Sequence, residues 1–336
     1  MQVAKQKIVV LGTGGTIAGE SAHASERLVY TSAQRSIDQL LACLPNSPAA
    51  LQAHELVSEQ VAQLDSIDMD FATWMALAQR CHFWLQQSEV KAVVITHGTD
   101  TLEETAYFLS RVLPGNKPVV MTCAMLPANA VGADGPQNLQ DALTLALSPD
   151  PRAQGVLLVC AGQIHTALHV QKIHPTRLDA FGSLGRGPLG LVGEGVVQWL
   201  AQTPQPANNG HAESSVKAQS GVVSRMLNWP PAQTWPWVEI ISNHVGANGA
   251  VVKAMVQAGA YGVVVAGTGN GSLSQALSQA LEEAQSAGLQ VCLATRCATG
   301  SVMPLPGAKF ADSKGLSPVK ARVSMLLDWA EQRSLN

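Results

Sequence analysis

The chain has 336 residues, of which 13% are charged and 46% hydrophobic, with a net charge of -3. Disorder needs high charge and low hydrophobicity, and nucleic-acid binding needs a basic field, so the composition excludes the first and argues against the second. The length suits about two domains, each able to bury its own core.

Two lysines precede an apolar run, but Ile8–Leu11 spans only four residues before the glycines. That is too short for a secretory leader. No apolar run reaches the roughly 18 residues of a membrane helix, so no membrane partner is expected. Six cysteines are scattered without a CxxC pair. Free thiols in a reducing cytoplasm are expected.

Residues 7–12 (KIVVLG) read as a buried strand ending in a glycine turn. Helical periodicity covers 34–44 and 68–87, and a second strand covers 90–96. Helix 101–113 follows, with Thr101 and Glu104 spaced as a capping box. Strand 117–124, helix 137–147 and strand 155–161 continue the alternation, which predicts a parallel sheet covered on both faces. The polar stretch 201–221, rich in Pro, Gly, Ser and Asn, reads as a linker. Beyond it, strands at 237–242, 261–266 and 289–294 alternate with helices at 248–258, 273–287 and 317–332. The expected fold is α/β: a larger N-terminal doubly wound, mainly parallel domain over 1–200, and a smaller C-terminal α/β domain over 222–336.

The first turn reads Gly12-Thr13-Gly14-Gly15-Thr16-Ile17-Ala18-Gly19. It fails the dinucleotide fingerprint, because Ile17 stands where the third glycine belongs, and no Gly-Lys-Ser/Thr follows for a P-loop. Its glycines let the backbone approach a ligand closely. Thr13 and Thr16 are both candidate nucleophiles if a base takes the proton, and both are equally able to bond local backbone. The second strand ends in His97-Gly98-Thr99-Asp100-Thr101. Adjacent parallel strands bring two such ends into one crevice. His97 has no neighbouring histidine at metal-ligand spacing.

TGGTIAG (13–19) and HGTDTLEETA (97–106) resemble the bacterial-type L-asparaginases of the asparaginase/glutaminase family. Ser66-Ile67-Asp68-Met69, LHVQKIHPTRLDAF around Lys172, Gly187-Pro188-Leu189-Gly190 and the Arg296–Gly300 turn extend the resemblance along most of the chain. It implies hydrolysis of the asparagine side-chain amide to aspartate and ammonia, without metal or organic cofactor. Carried over by position, Thr16 is the nucleophile and Tyr30 its assistant. Thr99, Asp100 and Lys172 form the cluster that activates water. Gly15, Ser66, Ile67, Gly98, Thr99, Asp100 and Ala124 line the place of the substrate. Backbone near Thr99 and Ala124 is expected to supply oxyanion donors. A lysine acts as a base only when burial or a cationic neighbour destabilises its ammonium, and a nearby carboxylate works the other way.

Two positions depart from the family pattern. Ile67 stands where many members have glutamine, and no Glu occurs in Ser301–Gly307, where members supply one from the smaller domain. Asn243 and Asn248 are the candidates for the companion asparagine. The expected partners are an amino-acid amide substrate and further copies of the chain, as homodimer or homotetramer, with neither nucleic acid nor membrane. A glutaminase-asparaginase or other ω-amidase is the near alternative. A subunit of a tRNA-dependent amidotransferase carries a domain before its glycine motif, whereas here the motif begins at Gly12. A non-catalytic binding module would have lost at least one of Thr16, Thr99, Asp100 or Lys172, and all four are present.

Overall fold

A computed structural model of the chain describes residues 5–44, 49–200 and 229–334. It divides into two compact units, Met1–Leu227 and Asn228–Asn336. The expected linker 201–221 lies outside the described residues.

In unit 1, β1 (Lys7–Gly14) is followed by α1 (Ile37–Ala42), α2 (Ala49–Gln52) and β2 (Glu55–Leu64). Then come α3 (Phe71–Leu85), β3 (Val90–Thr96), α4 (Leu102–Val112), β4 (Pro118–Thr122), α5 (Gly135–Ala146) and β5 (Gly155–Cys160). Five short strands close the unit: β6 (Gln163–Thr166), β7 (Gln171–Lys172), β8 (Phe181–Gly182), β9 (Gly190–Gly193) and β10 (Val196–Trp199). Eight of the strands form one sheet in the order β10-β9-β6-β5-β4-β3-β1-β2, and β7 pairs with β8 apart from it. From β2 to β5 the pairing is parallel; from β5 outward it is antiparallel. The expected mainly parallel sheet is therefore present, with an antiparallel flank added.

β1 and β3 are apolar runs because both of their faces are covered; Ile8 to Leu11 and Ala92 to Ile95 are fully buried. One face packs with α5 through Leu139, Ala142 and Leu143. β2 has no buried residue: Glu55, Gln60 and Gln63 are exposed and the other seven are half-buried. It is an edge strand without the long apolar run that marks the others.

The order β2-β1-β3-β4-β5 contains one reversal. The chain leaves β1 to one side for β2, then returns to its other side for β3. Open α/β sheets bind ligands at the carboxyl ends of the strands flanking such a switch.

Unit 2 holds β11 (Val238–Ser242), β12 (Gly262–Gly267), β13 (Gln290–Thr295) and β14 (Ala311–Asp312), parallel and in sequence order. α6 (Ala250–Gln257), α7 (Gln275–Ser286) and α8 (Pro318–Arg333) complete it. Val252, Met255, Leu277 and Leu281 bury one face of the sheet with Val263 and Val265.

Candidate active site

The ends of β1 and β3 meet at two glycines. Gly15 has φ 80°, and a Cβ there would fall 2.2 Å from Gly98 Cα. A Cβ on Gly98 would fall 2.6 Å from Ser66 Oγ and 3.1 Å from Gly15 Cα. Only two glycines allow this backbone-to-backbone approach. Thr16 and Thr99 each follow the contact by one residue, and both are 5% exposed.

The two threonines of the first turn part company here. Thr13 Oγ1 donates to the Thr96 carbonyl at 3.0 Å, within the core. Its hydroxyl is spent on structure. Thr16 opens a short 3-10 turn, Thr16–Ala18, and its Oγ1 lies 2.8 Å from the Tyr30 phenol. Tyr30 ends a loop closed at its base by the backbone pair Glu20 and Thr31, with bonds of 2.9 and 2.8 Å. The Tyr30 ring is seated over Gly19, where a Cβ would lie 3.0 Å from Cδ2.

On the β3 side, Lys172 Nζ donates to Thr99 Oγ1 at 2.8 Å and to Asp100 Oδ1 at 2.5 Å. The Lys172 side chain is 17% exposed and that of Asp100 50%. Lys172 reaches this place from β7, paired with Phe181 on β8. Ser66, buried at the start of the 3-10 turn Ser66–Asp68, accepts the Asp100 N–H on its Oγ at 3.1 Å. Its carbonyl accepts the Thr101 hydroxyl at 2.8 Å. That bond corrects the expected capping box: Thr101 is the N-cap of α4, but its side chain makes no cap bond. The hydroxyl serves a loop 35 residues away in the chain.

His97 is fully buried, and burial lowers its pKa to about 4. The ring is neutral at neutral pH. Its Nδ1 lies 2.7 Å from the Gly98 carbonyl and must donate to it. Ala124 is buried past the end of β4, in the same core cluster as Ile17 and Ala18. Asp134 fixes the loop that follows by accepting N–H bonds from Met125 and Leu126, both at 2.9 Å, while burial raises its pKa. Ile67 is 65% exposed. Among the described residues, no side-chain hydrogen bond joins Ile67 or Ala124 to either threonine.

Asp65 was not singled out in the sequence. Its carboxylate accepts the Ser32 hydroxyl at 2.6 Å and the Ile67 N–H at 3.4 Å, tying the Tyr30 loop to the Ser66 turn. The available signal was an aspartate at the N-cap position of that turn. Among the described residues, no group of three His, Cys, Asp or Glu is arranged to hold a metal ion.

A lysine-paired threonine, a second threonine under a phenol and two glycine-built strand ends at a sheet's switch point are the parts of an α/β amidohydrolase. Comparison with known proteins agrees. The family models "Asparaginase, N-terminal" and "Glutaminase/Asparaginase C-terminal domain" match residues 7–205 and 237–335. The chain is 35% identical to a glutaminase-asparaginase of Pseudomonas fluorescens biotype A, over 94% of this chain and 84% of that one. It is 33% identical to L-asparaginase 2 of Bacillus subtilis, over 95% of this chain and 81% of that one. A crystal structure of a probable cytoplasmic L-asparaginase from Campylobacter jejuni superposes with a TM-score of 0.83 at 31% identity, covering 98% of each chain. This chain belongs to the asparaginase family.

Proposed function

We propose that the protein hydrolyses the side-chain amide of L-asparagine through an acyl-enzyme on Thr16. The observation that carries the reading is the division of the two hydroxyls. Thr16 is paired with a phenol, and Thr99 with an amine and, through it, a carboxylate.

Thr16 Oγ attacks the amide carbon, its proton passing toward the Tyr30 oxygen. The C–N bond breaks, ammonia leaves with a proton, and the acyl group stays as a Thr16 ester. Water then adds to the ester carbon, its proton taken by the Thr99–Lys172–Asp100 chain; the bond to Thr16 Oγ breaks, Thr16 regains a proton, and aspartate is released. A free threonine hydroxyl is a poor nucleophile at neutral pH, so each step needs its own proton acceptor. Ser66 and its neighbouring backbone are placed for the substrate's α-carboxylate, and the half-exposed Asp100 for its α-ammonium.

Glutamine is one methylene longer, and a pocket discriminates such a difference by only about 10–200-fold. The test is ammonia release from asparagine and glutamine in parallel, with Lys172→Met as the variant. Asparagine turnover falling about a thousandfold in the variant supports the assignment. A rate like that of the wild type overturns it. Glutamine as the better substrate would favour the ω-amidase alternative.

The neighbour described as cytoplasmic and six unpaired thiols support a cytoplasmic location, which cell fractionation tests. A homodimer or homotetramer is proposed from the family resemblance; light scattering showing only the 35.3 kDa chain would reject it.

A further inference from the structure

Tyr30 reaches Thr16 only while the segment 20–31 keeps its place, and little apolar burial keeps it there. Leu28 and Val29 at its tip are 75% and 74% exposed. Polar ties hold it instead. One is the Arg35–Glu20 ion pair at 2.7 Å, beside the Glu20/Thr31 backbone pair.

Another, besides the Ser32–Asp65 bond just past its base, comes from the loop that follows β4. Asn129 Oδ1 accepts the Ser21 N–H at 2.9 Å, and Asn129 Nδ2 donates to the Ser21 carbonyl at 2.7 Å. Ser21 Oγ also lies 3.1 Å from Oδ1, and 2.9 Å from the His23 carbonyl. One carboxamide thus satisfies both backbone groups of one residue, as a neighbouring strand would. The backbone extends the match on both sides: Ala128 N–H donates to the Gly19 carbonyl and Val131 N–H to the Ala24 carbonyl, each at 2.8 Å. Ser21 is buried, so its N–H and C=O need partners. Among side chains, only a carboxamide offers donor and acceptor in this geometry.

We propose that Asn129 is a positioning residue for Tyr30: it latches the 20–31 loop onto the β4 side of the sheet and so holds the phenol on Thr16. The catalytic part of this rests on the amidohydrolase reading above; the latch does not. Asp at this position keeps the shape, removes the donor and sets a carboxylate oxygen against the Ser21 carbonyl.

Two measurements on the full chain test the proposal. The first is native-state trypsin cleavage after Arg27, in the exposed part of the loop. Asn129→Ala and Asn129→Asp should each speed it about tenfold, the scale of one to two net hydrogen bonds, with cleavage elsewhere unchanged. The second is kcat with asparagine in a double-mutant cycle. Asn129→Ala should lower kcat about tenfold in the wild type, with KM changing less, and less than twofold in a Tyr30→Phe background. A general packing defect would cost the same in both backgrounds. Unchanged cleavage after Arg27 overturns the latch. Faster cleavage with the full kcat loss retained in Tyr30→Phe overturns the positioning role. If the wild type hydrolyses no amide, proteolysis still decides the latch, and the failure is that of the amidohydrolase reading.

Discussion

Two strand ends in this protein begin with the same letters. β1 runs into Gly12-Thr13-Gly14-Gly15-Thr16, and β12 into Gly267-Thr268-Gly269-Asn270-Gly271-Ser272. Both follow buried interior strands whose two neighbours run parallel to them. In unit 2 the loop bonds across itself and is also tied to the end of β13, where Thr295 Oγ1 donates to the Gly269 carbonyl at 2.7 Å. Thr268 and Ser272 exchange both backbone bonds, and Thr268 Oγ1 donates to the Ser272 carbonyl at 3.0 Å. A Cβ on Gly267 would strike Gly271, four residues on. In unit 1 the glycine opens toward another strand's loop, because a Cβ on Gly15 would strike Gly98. β1 stands at the reversal of its sheet order, whereas β11 to β14 lie in sequence order with no reversal. The two turns differ in what they meet: at the sheet's reversal Gly15 lies backbone to backbone against Gly98, whereas the β12 turn is filled by bonds within itself and to the end of β13.

The sharpest way to break this comparison is to remove one hydroxyl from each turn. Thr16→Ala should cost about 10^4-fold or more in kcat, as loss of a nucleophile does. Thr268→Ala should leave kcat within about threefold and cost about 1 kcal/mol of stability in urea unfolding, the worth of one hydrogen bond. Equal kinetic losses would mean that the unit 2 turn also serves the reaction. Gly15→Ala comes next. It places a methyl against backbone at a positive φ, so the Thr16 and Thr99 loops must separate. A displacement near 1 Å costs on the order of a hundredfold in kcat/KM. Loss of stability with kcat/KM intact would show that the glycine contact serves folding alone.

Much of unit 1 was readable because burial on both faces forces β1, β3, β4 and β5 to be apolar runs. β2 is not legible because an edge strand needs no buried run, and ELVSEQVAQL, with neither a run nor a period of two, resembles a polar connection as much as a strand. The threonine pair was ambiguous for a physical reason. Thr13 and Thr16 share their local chemistry, and only the Thr96 carbonyl, 83 residues on, removes Thr13 from the contest. Lys172 sits on a two-residue strand that no periodicity can reveal. Motif resemblance placed it, and the geometry then supplied its partners. Thr101 misled because a capping box is a local pattern, while its hydroxyl had a better partner at Ser66.

Histidines beyond the ends of β3 and β11, one in each unit, extend the comparison through pH. His97 and His244 each hold the carbonyl of the next residue with Nδ1, at 2.7 and 2.9 Å, but His97 is buried and His244 exposed. Burial lowers the native pKa of His97 from 6.5 to about 4. Between these values the unfolded chain binds more protons at this site than the native one, so stability present above pH 6.5 is lost as pH falls toward 4. The full window is worth about 3 kcal/mol. His165, also lowered to about 4 by burial, adds to the loss, and Asp141, raised to about 6 by burial, opposes it. His97→Asn keeps a donor for the Gly98 carbonyl and removes the titration. The fall in urea midpoint between pH 7 and 4.5 should therefore be smaller in His97→Asn than in wild type. An undiminished fall in His97→Asn would move the acid sensitivity elsewhere.

The smallest expected effect concerns Ile67, which lies beside Ser66 and is 65% exposed. An exposed aliphatic chain at this rim gives no hydrogen bond to a carboxylate bound at Ser66. A glutamine there would supply a donor. In unit 2 a carboxamide is engaged by the protein itself: Asn270 spends both ends on the Met303 backbone, at 3.0 and 2.7 Å. On the proposed reading the α-carboxylate is not part of the reacting amide, so its contact is the same in ground and transition states. Uniform binding of this kind lowers KM and leaves kcat alone. Ile67→Gln should lower KM for asparagine about fivefold, the scale of one net hydrogen bond. A raised KM would mean that the carboxylate lies elsewhere than at Ser66. A changed kcat would mean that position 67 acts on the Thr16 or Thr99 chemistry itself, and the division between a binding rim and a reacting centre in unit 1 would have to be redrawn.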